Sequence, residues 1–185
     1  VFADNVYVDK MANSGGFDID FNGAVTDVVQ AMTFTTTGTV SLGNSDTDVL
    51  NFAGGLTHTA GLTTLHGTLN TTNSPIYLVG LQVRGNASIN PGAAATATVT
   101  AGAVVLADGT HLSIGSGSTG AVSLASLSGT AGGAASDVTI DTTAAIAVSS
   151  AVGTDIGRLR LVNTGNATFG GAVSAVNLQV DAVQA

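Results

Sequence analysis

Short apolar pairs recur along this chain about every 20 residues, and this spacing limits its possible folds more than any other feature. Val138-Thr-Ile140 is followed one such interval later by Leu159-Arg-Leu161, and that pair by Leu178-Gln-Val180 after another. Within each pair one polar residue separates two apolar ones, the two-residue alternation of a strand with one face buried. Val6-Tyr-Val8, Phe17-Asp-Ile19-Asp-Phe21, Val40-Ser-Leu42, Ile76-Tyr-Leu78, Leu81-Gln-Val83, Leu112-Ser-Ile114 and Val122-Ser-Leu124 repeat it. Gly, Asn, Asp and Ser fall between the runs, and both prolines, Pro75 and Pro91, lie at breaks, where no central ladder loses a donor.

Helix is disfavoured from a second direction. The chain has no Glu and one Lys, Lys10, while Thr, Val, Ser and Gly abound. The hydrophobic fraction is 44% but aromatics are only 4%, which suits a narrow core of small side chains. These features predict an all-β fold, a parallel β-helix (β-solenoid) with coils of about 20 residues. The alternative is a β-sandwich or jelly roll, whose strands recur at about 8–12 residues. At 185 residues the chain reads as a single β domain, 1–185. Segment 1–10 is expected to be an extended donor or capping segment. Residues 54–90 keep the period poorly and are expected to be irregular or inserted. Phe21-Asn-Gly-Ala-Val25 recurs near the other end of the chain as Phe169-Gly-Gly-Ala-Val173, which predicts equivalent places in coils about seven turns apart.

Composition excludes several functions. Formal net charge is −8 with only four Lys and Arg, which argues against phosphate-backbone binding and against docking to an anionic membrane surface. No run of about 18 apolar residues is present to span a membrane as a helix. With zero cysteines there are no disulfides, thiolate metal sites or Cys nucleophiles. The first residue, Val1, reads as that of a processed product or an excised piece. Low Lys, abundant Thr and Ser, and acidity point to an extracellular or cell-surface location.

Few residues suggest chemistry. Asp46 and Asp48, in Gly43-Asn-Ser-Asp-Thr-Asp48, alternate as hard oxygen ligands do in a calcium loop, so calcium is the one cofactor considered. The competing reading is an Asp-rich turn, because a repeat-type calcium site needs neighbouring copies and the chain holds one. Asp18 and Asp20 mark the solvated side of a strand, and without Glu a glycosidase carboxylate pair has little support. His58, His66 and His111 are dispersed; His58 and His66 come together only if the chain turns back between them, and their default reading is surface or partly buried. Gly115–Gly120 and Gly129–Gly133 lack the Lys and following helix of a phosphate loop, so they read as coil corners. Asn70, Asn86 and Asn166 begin glycosylation sequons of the kind that chance supplies in a chain this rich in Ser and Thr. Arg158 and Arg160 flank Leu159 and project from one face, either as a solvated surface or as a docking contact for an acidic partner.

The runs from Ala107 to Gly129 and from Asn163 to Val183, with a weaker echo in Phe17–Val28, resemble the repeat regions of secreted bacterial adhesins of the autotransporter and filamentous-haemagglutinin type. That resemblance implies right-handed parallel β-helices serving as stalks, adhesins or matrix components, with no catalytic motif. The expected function is therefore non-enzymatic: a self-associating component of a surface filament, surface layer or adhesin stalk. Its partners are copies of itself, through Val6, Tyr7 and Val8 and through Arg158 and Arg160. Nucleic acid and small-molecule substrates are not expected. A jelly-roll filament subunit joined by donor-strand exchange is the first alternative, and a polysaccharide-active β-helix enzyme the second.

Overall fold

The computed structural model describes residues 1–13 and 15–182. Its strands are β1 (Val6–Val8), β2 (Ile19–Phe21), β3 (Val25–Val28), β4 (Met32–Phe34), β5 (Thr39–Leu42) and β6 (Val49–Phe52). They continue as β7 (Leu56–His58), β8 (Leu62–Asn70), β9 (Ile76–Asn90), β10 (Val99–Leu106), β11 (His111–Ser118) and β12 (Val122–Gly129). The last are β13 (Ser136–Thr142), β14 (Ala145–Val148), β15 (Ile156–Val162), β16 (Asn166–Phe169) and β17 (Asn177–Val180). Every described pairing is parallel and joins a strand to its counterpart one turn away. The protein is a β-solenoid of about eight turns with roughly 23 residues per coil, longer than the sequence spacing predicts. A sandwich or jelly roll, built from antiparallel pairs, is ruled out by the same pairings.

Three ladders give the coil three faces. One runs Met32, Leu56, Ile76, Val99, Val122, Ile146, Ala167. The second contains Ile19, Val40, Thr63, Leu81, Val104, Leu127 and Val152, and the third Leu50, Leu69, Ile89, Ile114, Ile140, Leu161. The pairs that define the sequence period are true register partners: Val138 on Leu159 on Leu178, and Ile140 on Leu161 on Val180. Other steps vary, the one from Leu50 to Leu69 being shorter and the one from Ile114 to Ile140 longer, because corner lengths differ.

Two expectations are corrected. Residues 54–90 hold β7, β8 and the 15-residue β9 in register with their neighbours. The period is hard to see there because β8 and β9 run through corners without a break in strand, so single glycines such as Gly67 and Gly85, rather than longer turn stretches, mark them. The repeated Phe-x-Gly-Ala-Val motif also misleads. Phe21 stacks on Leu42 in the second ladder, whereas Phe169 pairs with Val148 in the first, so the two copies lie on different faces. Segment 1–10 lies on the first coil, where β1 pairs with β3 through Val6 on Thr26 and Val8 on Val28.

The core changes character along the stack. Near the first coils Phe21, Phe34 and Phe52, one from each face, meet edge to face at centroid distances of 6.1 to 6.3 Å, and all three are fully buried. Such pairs add about 0.5–1.5 kcal/mol beyond area burial. Farther on, Leu, Ile and Val fill the same positions. His58 occupies an inward position above Phe34 and is fully buried, contrary to its surface or partly buried reading. Its Nδ1 lies 2.8 Å from the Thr63 hydroxyl and its Nε2 3.2 Å from the Thr36 carbonyl, so both ring nitrogens are satisfied. The neutral ring donates from Nε2 to that carbonyl and accepts the Thr63 hydroxyl at Nδ1.

On the outer side of the third face the register places Asp27, Asn51, Asn70 and Asn90 in one column. Each amide donates to the residue before it: Asn90 to Asn70 at 3.1 Å, Asn70 to Asn51 at 2.9 Å, and Asn51 to the Asp27 carboxylate at 2.5 Å. Asn70→Ala removes two of these bonds and is expected to cost about 1–2 kcal/mol, read from the urea midpoint. Thr26 takes an inward place below Leu50, and its buried hydroxyl has no partner. Thr26→Val should raise stability by up to about 1 kcal/mol in the same assay. Burial pushes the His58 pKa below its ordinary value of 6.5, against the opposing effect of the Thr36 bond. The unfolded chain therefore binds a proton that the folded chain resists, and stability contributed by this site falls as pH drops through about 6.5. Thermal melts from pH 7 to 5 should show that loss, and His58→Gln should flatten it while lowering stability at pH 7.

Candidate functional site

The side chains with chemical potential concentrate at the corner that leads from the second face to the third. In successive turns it is formed by Asn22–Ala24, Gly43–Asp48, His66–Gly67 and Gly85–Asn86, so residues far apart in sequence form a column there. Gly43 is required at this corner: its φ is +76°, and a Cβ would meet the His66 carbonyl. Gly85 is needed for a different reason, because the His66 imidazole packs against its backbone where a Cβ would stand.

Asp46 and Asp48 perform separate tasks. Asp48 is 4% exposed, and its Oδ2 accepts the backbone N–H groups of Asn44 at 2.8 Å and Ser45 at 3.1 Å, closing the turn. Asp46 points outward. Its Oδ1 meets His66 Nε2 at 2.6 Å and the Asn86 N–H at 2.9 Å, and its Oδ2 accepts the Asn86 amide at 2.9 Å. The Asn86 bonds and the His66 ring hold the Asp46 carboxyl below the usual carboxylate value. Asn86 in turn accepts the His111 N–H at 3.0 Å, so the network links four turns. The two carboxylates do not converge on one point. Among the described residues no three His, Asp, Glu or Cys side chains are arranged to hold a metal ion.

The other singled-out residues are placed as follows. His58 is in the core and His66 at the corner, each with its own partners, so the two do not form a unit. Asp18 caps the next turn by accepting the Thr39 N–H at 2.7 Å. Arg158 and Arg160 do project together from β15, but each bonds a carboxylate on an adjacent coil, Arg158 to Asp137 at 3.3 Å and Arg160 to Asp181. Tyr7 is 64% exposed on β1, between the buried Val6 and the half-buried Val8. Of the sequon residues, Asn70 and Asn86 have their amides engaged, whereas Asn166 is exposed at the start of β16.

Sequence reasoning did not single out Arg84. It lies on the same corner, and its guanidinium has one bond, to Gln82 at 3.4 Å, and no carboxylate partner among the described residues. Beside it runs an open groove of about 350 Å³ lined by Asp20, Ser41, Asn44, Thr64, His66 and Arg84, among others. The sequence signal was available in principle: Asp20, Ser41, Thr64 and Gln82 follow one another at one coil length each, and the register makes them one outward row. No protein-family model, no curated protein and no solved structure matches this chain, so the site stands on its own geometry.

Proposed function

We propose that this protein is a non-enzymatic structural component of an extracellular or cell-surface assembly: a β-solenoid rod that associates with copies of itself in a filament, surface layer or adhesin stalk. The observation that carries this reading is how its few polar and ionisable side chains are used. Arg158 to Asp137, Arg160 to Asp181, Asp46 to His66, Gln30 to Asp9, and the Asp27 column all bond from one coil to the next, and Asp46 also reaches two coils on to Asn86. Such groups reinforce a rod along its axis; they are not gathered around a nucleophile with its base. The adhesin-type role is the finer part of the proposal, supported by the resemblance of the repeat runs.

Self-association draws support from the outermost described coils. Inward rows that are fully buried elsewhere become exposed there: Phe2 is 40% exposed, stacked 5.2 Å from Phe21, and Leu178 and Val180 are each 47% exposed. A further coil laid on either surface covers that row and pairs its free strand edge, and in the proposed assembly that coil comes from a neighbouring copy. Arg158 and Arg160, already paired within the chain, are secondary to these surfaces.

Negative-stain electron microscopy with and without calcium tests the reading. Ordered filaments or sheets are the expected result, and the double variant Leu178→Asp, Val180→Asp should reduce them to short rods. Particles that stay monomeric on sedimentation as concentration is raised would remove self-association from the proposal.

A further inference from the structure

The corner groove carries an inference that goes beyond the structural role and does not depend on it. Most charged side chains near it are tied to neighbouring coils, but Arg84 and Asp20 have no ion-pair partner among the described residues, and both line this groove. Between them lie Ser41 and Thr64, in register with Asp20, and Asn44 at the corner. His66 is fixed by its bond to Asp46, to which Nε2 donates.

The groove spans four successive turns, from Asp20 through Ser41 and Thr64 to Arg84. At a strand separation of about 4.8 Å that is a length of roughly 14 Å along the rod. Polar groups therefore repeat along its floor at a spacing comparable to the advance per unit of an extended glycan chain. The lining is hydroxyl, amide, carboxylate and imidazole, a set that exchanges hydrogen bonds with sugar hydroxyls, and Leu65 is its one large aliphatic side chain. An apolar peptide side chain finds no deep pocket here. A phosphate finds one guanidinium and no helix N-terminus among the described residues. A planar guanidinium free of any carboxylate matches a carboxylate on the ligand in a two-pronged contact. Asp20 stands at the far end, beyond the screening length of about 8 Å at physiological salt, so it does not repel a carboxylate held at Arg84, and the sugar unit beside Asp20 must itself be neutral.

We propose that this groove binds an extended saccharide with a single uronate, its carboxylate on Arg84 and the hydroxyls of the neutral sugars beyond it on Thr64, Ser41, Asn44 and Asp20. Asp20, Ser41 and Thr64 are short and built on strands, so little of their conformational freedom is lost on binding, whereas ordering the long Arg84 side chain has a cost. No Trp is present to supply a stacking platform, which limits the affinity and makes the arginine contact decisive.

The test is titration of the purified protein with a short oligosaccharide of neutral sugars carrying one terminal uronate, followed by amide chemical shifts at about 0.15 M salt. The control ligand is the same oligosaccharide with its carboxylate reduced to an alcohol. Saturable shifts confined to the groove are expected with the uronate, and the reduced sugar should bind about tenfold more weakly. Arg84→Gln should cause a similar loss, Arg84→Lys a smaller one, and Arg158→Gln none. Because the Arg84 side chain is exposed and makes one long hydrogen bond, to Gln82, its variants should keep the wild-type melting temperature. Equal binding of the reduced sugar, undiminished binding by Arg84→Gln, or shifts that never saturate would each overturn the proposal. These readouts are independent of assembly, so they separate loss of the ligand site from loss of self-association.

Discussion

Everything in this molecule follows from the parallel hydrogen-bond ladder that sets one coil on the next. The backbone fixes the separation of successive turns at about 4.8 Å, so each side chain must live against its register partners above and below. Inward, this selects aliphatics that stack into continuous rows. Outward, it selects groups that bond to their own kind or to an opposite charge. Asparagine satisfies that demand best, since its amide both donates and accepts. A column of Asn51, Asn70 and Asn90 propagates from coil to coil, and Asp27, an acceptor only, ends it. Arg158 over Asp137 solves the same problem with charge.

The coil's cross-section is a second constraint, and it explains where large and polar residues enter the core. Three faces leave one triangular interior per turn. Inward side chains from all three faces fill it and pack between turns, as Phe21 and Phe34 of one turn do with Phe52 of the next in edge-to-face contact. His58 is accepted into this interior because Thr63 and Thr36 satisfy both of its nitrogens. A buried polar ring with those two bonds costs far less than an unsatisfied one, but it ties local stability to protonation. The Thr26 hydroxyl, with no such partner, shows the contrary case.

Most of the architecture was legible in the sequence, and the reasons for success and failure are physical. Val138, Leu159 and Leu178 stack as their spacing implies, because the corners between them are similar in length. Pro75 and Pro91 border β9 at its two ends, where no ladder donor is lost. Residues 54–90 were opaque because β8 and β9 turn corners at single residues such as Gly67, with no longer turn stretch to separate the strands. The Phe21 and Phe169 motifs deceived because a corner can follow any of the three faces, and local sequence at a corner does not say which. The polar corner was the least legible part. Asp46, His66 and Asn86 stand a full coil apart in sequence, and only the register reveals that they touch. Asp46 and Asp48, near neighbours on paper, turn in different directions because one must close its own turn.

The same logic explains why a rod can carry a recognition surface without a conventional pocket. A solenoid repeats a chemical group at fixed intervals along its side, so any row whose members do not bond one another becomes a line of free donors and acceptors. The Asn column is closed in this sense, because its amides satisfy each other. The row through Asp20, Ser41 and Thr64 is not closed: among the described residues no hydrogen bond joins these side chains across coils, and the nearby Arg84 has no carboxylate partner. Whether the side chains of a row satisfy one another thus decides which rows strengthen the rod and which remain available to a ligand. In a chain of net charge −8, an unpaired arginine on an available row is the position where an acidic ligand meets attraction at close range, with the surrounding negative field screened by salt.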